Sequence, residues 1–345
     1  MRVFYLDAFD TTSAYYRTYI VNNALISNGV QSVVSGAIAN NLGLSDKKQI
    51  YATYANYLGL SNIVIAQGIA IRKEFEPIFD VIEKLDKLLL IDVDDYYKTP
   101  PDDFVKGIYK KADGFICSTY KLASLYSKEF NKPCYVFENC IDFHDERWDV
   151  THYSNKNIVI GYMGYETHHS DLEILKDVIP EILDRYPEAE FQFLGFIPDY
   201  IKQNERVRLI PTDNDISVYP VHMAQFDIGL IPLIETGDFN LCKSDLKFLE
   251  YSHLQIATIA SHSPVYNSIV NKVNGLRVRQ NKACDWTRAI SRLIDDDRLR
   301  YELSCKAFEY CKTRDIELNI NKYIDILKRA YVDKSNKKNN LRRPA

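Results

Sequence analysis

Short apolar runs alternate with longer amphipathic stretches along the whole chain. RVFYL (2–6) reads as a strand ending at Asp7, and the following YYRTYIVNNALISNGV (15–30) carries apolar residues at helical spacing until Gly29 stops it. Further strands are expected at SVVSGA (32–37), IVIAQ (63–67), LLLIDV (88–93), GFICS (114–118) and CYVFEN (134–139), with helices between several of them, notably at 74–85 and 120–130. After Asn139 the periodicity lapses in CIDFHDERWDVTHYSNKN (140–157), a polar stretch that reads as a boundary.

A second series then begins. IVIGYMG (158–164), a helix over 171–186, EFQFLG (190–195), VRLIP (207–211), DIGLIPL (227–233), IATIAS (256–261) and a last strand NGLRVR (274–279) are followed by helices at 284–295 and 298–313. Strands alternating with helices imply parallel sheets covered on both faces. The expected fold is therefore α/β, with two doubly wound Rossmann-like domains facing a central cleft. Their spans are 1–145 and 157–315, joined by a linker at 146–156. A helix at 316–332 is expected to return to the first domain, and 333–345 to form a basic disordered tail.

Composition narrows the class. The 345 residues are 46% hydrophobic and 26% charged, enough to bury a large core. A net charge of −4 argues against a surface that coats nucleic acid or membrane as a whole, so any such contact must be local. Lys334, Lys337, Lys338, Arg342 and Arg343 offer one: the tail is either a solubilising extension or an arm for anionic lipid or nucleic acid. No apolar run approaches the roughly 20 residues that span a bilayer. MRVFYLDAFD is unlike a secretory signal. Seven scattered cysteines without a C-x-x-C pair fit a reducing compartment, so the expected location is cytoplasmic, peripheral to the inner face of the membrane if the tail binds lipid.

Three segments carry candidate chemistry. NLCKSDLKFLEY (240–251) lies between two apolar runs, with Ser244 as the expected N-cap of a short helix and Lys243 just before it. Free N–H groups at a helix start beside a cation make a seat for phosphate, and Glu250, about two turns on, can accept hydrogen bonds from a ribose diol. The plainer reading makes Lys243 and Lys247 a solvated face balanced by Glu250. GYMGYETHHSDLE (161–173) ends a strand in Gly164, and Ser170 with Glu173 suggests a capping box that sets His168 and His169 near a helix start. There they either hold a diphosphate, one imidazole turning cationic, or lie exposed in a loop.

IDVDDYY (91–97) puts Asp92, Asp94 and Asp95 at the end of an apolar strand. Three readings stand: strand-end capping, an acceptor or general-base role for Asp94 or Asp95, and a D-x-D metal site at Asp92 and Asp94. Ser13 and Arg17 occupy another strand-end loop, where Arg17 could grip a phosphate or remain a surface arginine. No G-x-S-x-G, no P-loop, no H-E-x-x-H and no G-x-G-x-x-G after the first strand occurs, which removes the usual hydrolase, NTPase, zinc-protease and dinucleotide oxidoreductase readings.

The ordered set IVIGYMGYETHHSDLEIL, FDIGLIPL, FNLCKSDLKFLEYSHLQIATIAS and VNGLRV resembles the nucleotide-sugar domain of GT-B glycosyltransferases, in particular the family 4-like retaining group, over about 158–293. YYR, IDVDD and ENCID in the first domain agree more loosely. The resemblance implies a metal-independent glycosyltransferase moving a hexosyl or pentosyl group. Its co-substrate would be a nucleoside-diphosphate sugar, with no other cofactor, and its acceptor a glycan, lipid-linked glycan, protein or nucleic acid. The first domain would then take the acceptor, with Asp94 and Asp95 as catalytic candidates and Ser13 and Arg17 on acceptor or phosphate. The second would bind the donor through Gly164, His168, His169, Lys243, Ser244, Lys247 and Glu250. Glu250 matches the later glutamate of the family's E-x7-E motif, and Cys242 stands at the earlier one. The family's Arg and Lys diphosphate clamp is also missing, leaving His168, His169 or Lys243 to replace it. A non-catalytic nucleotide-sugar or glycan-binding protein is the alternative.

Overall fold

A computed structural model describes residues 1–7, 11–43, 46–96, 102–150, 157–212, 216–235 and 237–341. The chain divides into two compact units, the first made of Met1–Asn139 and Ile316–Ala345, the second of Cys140–Asp315. Each holds one six-stranded parallel sheet.

In the first unit the strands are β1 (Arg2–Leu6), β2 (Gln31–Val34), β3 (Ile63–Gln67), β4 (Leu88–Val93), β5 (Gly114–Cys117) and β6 (Cys134–Val136), in the order β2-β1-β3-β4-β5-β6. Every residue of β3, β4 and β5 is buried, which is why these segments read as unbroken apolar runs rather than alternating ones. In the second unit β7 (Ile158–Gly164), β8 (Ala189–Gly195), β9 (Val207–Ile210), β10 (Ile228–Ile231), β11 (Ala257–Ser261) and β12 (Leu276–Val278) take the order β12-β11-β10-β7-β8-β9. Both units are doubly wound: the chain adds strands to one side of its first strand and then crosses to the other. The direction reverses between β1 and β3 in the first unit and between β7 and β10 in the second, and such switch points are where α/β sheets bind ligands.

Gly161 and Gly229 belong to packing. A Cβ on Gly161 would collide with the Phe226 ring, and one on Gly229 would sit 2.5 Å from Cδ2 of Tyr251, so both glycines admit an aromatic ring against the sheet.

Three expected elements differ. The strand read at 32–37 stops at Val34, because Asp7 Oδ1 accepts from the Ser35 hydroxyl (2.5 Å) and the Gly36 amide (2.9 Å), fixing a helix start there. Two 3-10 turns, Glu166–His168 and Ser170–Leu172, precede a helix at Leu175–Arg185 whose N-cap is Ile174. The Ser170–Glu173 capping box is therefore absent; Glu173 N–H bonds only the Ser170 carbonyl. The closing helix, Ile316–Leu341, runs well past 332. Its Tyr323 hydroxyl meets Tyr5 at 3.1 Å in the first unit, and Lys334 holds Asp113 (2.9 Å) and Asp86 (3.2 Å). Ion pairs on one face thus keep helical much of the segment expected to be disordered. Arg342, Arg343 and the rest of the tail's end lie outside the described residues, as do 151–156 of the expected linker. Before them, Glu146–Trp148 forms a 3-10 turn with Trp148 buried.

Candidate active site

The second unit's switch point is built around Asp171, a residue the sequence reading passed over. Asp171 is 1% exposed. Its Oδ1 accepts from the Ile234 amide (2.8 Å), in the loop after β10, and from the Asn240 side chain (3.1 Å), on the short helix α1 (Gly237–Leu241). Its Oδ2 lies 2.8 Å from His168 Nδ1. One carboxylate therefore ties the loop after β7 to the loop after β10, across the point where strand order reverses.

His168 passes this order on. Its Nε2 lies 3.1 Å from the ammonium of Lys247, on helix α2 (Leu246–His253). Lys247, then burial, push the His168 pKa down to about 4 against the pull of Asp171. The ring is thus neutral near pH 7, with the Nδ1 proton given to Asp171 and the Nε2 lone pair accepting from Lys247. The expected cationic imidazole is tied to a bound phosphate; without one, the ring is neutral beside Lys247. The ammonium also lies 5.8 Å from the Tyr162 ring centroid, and Lys243 stands 4.1 Å over the Phe239 ring.

Other site residues fall as follows. The N-cap of α2 is Asp245, not Ser244. Asp245 makes no capping bond and instead meets Arg314 at 3.3 Å, so its side chain does not cover the amides of the helix's first turn. Gly164 ends β7, where a Cβ would strike the Tyr162 hydroxyl; ring packing already requires this glycine, whatever approaches from outside. His169 is half exposed, and its carbonyl accepts from the Tyr200 hydroxyl. Glu250 lies just over one turn into α2, not two, and is 1% exposed. The phenol of Tyr219 is beside it, its pKa raised by burial and then by the Glu250 charge. Cys242, at the earlier glutamate position, is fully buried.

In the first unit Arg17 is corrected outright. It is 1% exposed, and its guanidinium spans Asp92 (two bonds of 2.9 Å), the Phe137 carbonyl (2.7 Å) and Asn139 Oδ1 (2.9 Å). Bound so, it holds the sheet's interior together and cannot reach a phosphate. Asp92 is consumed by the same pair, which removes one ligand from the D-x-D metal reading. Among the described residues, no group of three or more His, Cys, Asp or Glu gathers at metal-binding distance. Asp94 and Asp95 are half-buried at the end of β4; Asp94 Oδ1 accepts from Asn139 at 3.2 Å, and the Asp95 carbonyl from Tyr126 at 3.4 Å. Ser13 accepts from Gln67 at 3.0 Å, beside the switch point between β1 and β3.

No protein-family model and no curated protein sequence matches the chain. Solved structures do. Anabaena HepE in complex with UDP-glucose aligns at a TM-score of 0.68 and 11% identity, over 94% of this chain and 99% of HepE. A glycosyltransferase from Rickettsia africae gives 0.65 at 14% identity, over 95% and 97% of the two chains. The chain has the GT-B fold. A sucrose-phosphate synthase from Thermosynechococcus elongatus, aligned over 96% of this chain and all of its own at 0.62 and 10% identity, shares it. In GT-B terms the Asp171–His168–Lys247 relay belongs to the second of two doubly wound units, and Asp94 and Asp95 to the first. No helix among the described residues is long and apolar enough to cross a membrane.

Proposed function

We propose that this GT-B chain transfers a hexosyl or pentosyl group from a nucleoside-diphosphate sugar to a hydroxyl-bearing acceptor. The observation that carries the reading is the Lys247 ammonium, oriented by His168 and Asp171 at the second unit's switch point, next to a helix start whose N-cap residue Asp245 makes no capping bond. As the glycosidic bond breaks, negative charge grows on the leaving diphosphate. Lys247, Lys243 and the first-turn amides of α2 stabilise that charge, and they are held in place before it appears. The two ammoniums supply locally what a divalent metal supplies elsewhere, so the transfer proceeds without one. Retention of configuration rests on the family resemblance.

Glu250 takes the ribose diol in this reading, reached once Tyr219 turns from the carboxylate. Asp94 or Asp95 binds the acceptor hydroxyl and takes its proton. The acceptor is a glycan, a lipid-linked glycan, a protein or a nucleic acid. Seven free cysteines support a reducing compartment such as the cytoplasm as the site of the reaction.

Thermal melts of the purified protein with UDP-, GDP-, ADP- and TDP-sugars test the donor half, since a ligand bound only by the native state raises Tm. Sugar nucleotides that leave Tm unchanged, together with no nucleoside diphosphate released in any acceptor mixture, would reject the proposal. Cys242 favours a second reading, a nucleotide-sugar binding protein without turnover, because a buried thiol cannot hold the donor sugar as a glutamate does. Donor binding without release of nucleoside diphosphate selects it.

A further inference from the structure

The first unit carries a feature that donor chemistry leaves unused. Near the end of the closing helix α3 (Ile316–Leu341) is a cavity of about 350 Å³ whose floor is Phe79, Ile82, Leu89 and Ile108. Its rim is basic: Lys87, Lys111, Lys334, Lys337 and Lys338 stand around it, against Glu83, Asp86 and Asp113. The three carboxylates are matched by Lys111 on Glu83 (2.6 Å), Lys338 on Asp86, and Lys334 on both Asp86 (3.2 Å) and Asp113 (2.9 Å). The Lys87 ammonium is held by the Gly59 (3.1 Å) and Ser61 (2.7 Å) carbonyls, so four rim ammoniums face three carboxylates, an excess of one. The excess continues along the chain, for residues 328–345 hold seven Lys and Arg against the single acid Asp333, in a protein of net charge −4.

We propose that this rim and cavity form a docking site for an anionic phospholipid surface. A basic rim alone would suit any polyanion, but an aliphatic and phenyl floor beneath it matches a molecule with a negative head and an apolar body. Nucleic acid is matched less well: single strands call for exposed rings on which bases stack, and Phe79 is only 5% exposed on the cavity floor. Leu85, 43% exposed and next to the rim residue Asp86, adds apolar surface near the rim. The site lies at the amino ends of β4 and β5, so it is independent of the donor site in the second unit.

Sedimentation of the full-length protein with vesicles tests this. Vesicles of phosphatidylglycerol and phosphatidylcholine in equal parts should pull the protein down, and phosphatidylcholine alone should not. Each lysine near an anionic surface changes partitioning by about fivefold, so Lys111→Glu with Lys337→Glu should weaken binding by about 30-fold or more. Short-chain phosphatidylglycerol should compete with the vesicles, whereas glycerol phosphate should not, because the cavity takes the apolar part. Equal binding to neutral vesicles, an unaffected double variant, or equal competition by glycerol phosphate would overturn the proposal. Displacement from vesicles by a short DNA duplex would overturn it in favour of nucleic acid. The donor-induced Tm shift of the double variant should match the parent's, which keeps this outcome separate from that of the transferase reading.

Discussion

Nε2 of His168 lies 3.1 Å from Nζ of Lys247, and Nδ1 of the same ring lies 2.8 Å from Asp171. A neutral imidazole can satisfy both neighbours in one tautomer only, with its proton on Nδ1. Asp171→Asn tests that tautomer. Ile234 and Asn240 keep the amide oxygen of the new side chain, so its NH2 turns to Nδ1, and the ring proton moves to Nε2, facing the ammonium. Two donors then oppose each other and Lys247 leaves its place. Turnover should fall by about 10- to 1,000-fold, approaching that of Lys247→Met. Steady-state rates of nucleoside diphosphate release check this, with circular dichroism to confirm folding. An Asp171→Asn protein as active as the parent would remove the relay from the mechanism.

Glu250 gives a separate test of ribose contact. Glu250→Gln keeps the shape of a buried side chain but removes the charge that the diol would meet. A hydrogen bond to a charged group contributes about 1.5–3 kcal/mol, so donor dissociation constants by calorimetry should rise by about 10- to 100-fold. The same change should leave free sugar binding as it was. Unaltered donor affinity in Glu250→Gln would show that the diol is held elsewhere.

The Arg17–Asp92 pair predicts loss of stability without loss of donor recognition. Removing one partner strands a buried charge, at a cost of about 3–5 kcal/mol, so Asp92→Ala should lower the urea midpoint strongly. The double change Arg17→Met with Asp92→Leu should recover much of it, since apolar side chains of similar size leave no orphaned charge. Donor-induced Tm shifts in the double variant should resemble the parent's, because both residues belong to the first unit and the proposed donor groups to the second.

Why the sequence disclosed some of this and not the rest follows from the range of the interactions. Strands such as LLLIDV and IVIAQ are legible because burial on both faces of a parallel sheet demands unbroken apolar residues. Helix starts are less so: Ser244 and Asp245 are both good caps in isolation, and Arg314, 69 residues away, takes the Asp245 side chain. Arg17 reads as an available cation because Asp92 and Asn139, its partners, are 75 and 122 positions distant. His168 is legible as a candidate site residue, yet its neutrality depends on Lys247, 79 positions on. Asp171 had one local signal: an acidic residue three places after a histidine at a strand's carboxyl end can orient the ring.

Two histidines of the second unit predict acid sensitivity. His253 is stacked between Phe143 (ring centroids 4.4 Å apart) and Trp148 (5.4 Å), and burial pushes its pKa down to about 4 against a weaker pull from Asp145. His168 is brought to about 4 chiefly by Lys247. Both values lie below the unfolded value of about 6.5, so between those limits the unfolded chain binds more protons and stability rises with pH. The stabilisation of the neutral rings is complete above pH 6.5 and lost as pH falls towards 4, by about 2–3 kcal/mol for each histidine. Urea unfolding at a series of pH values between these limits should give a steep slope for the parent. His253→Phe keeps the stack and should lessen the slope by one histidine's share. Lys247→Met should lessen it too, by removing the main cause of the His168 shift, and the two changes should add because different charges act on each ring. A parent whose stability is flat from pH 6.5 to 4 would mean that both rings titrate as they do in the unfolded chain, and that Lys247 is not held by a neutral His168.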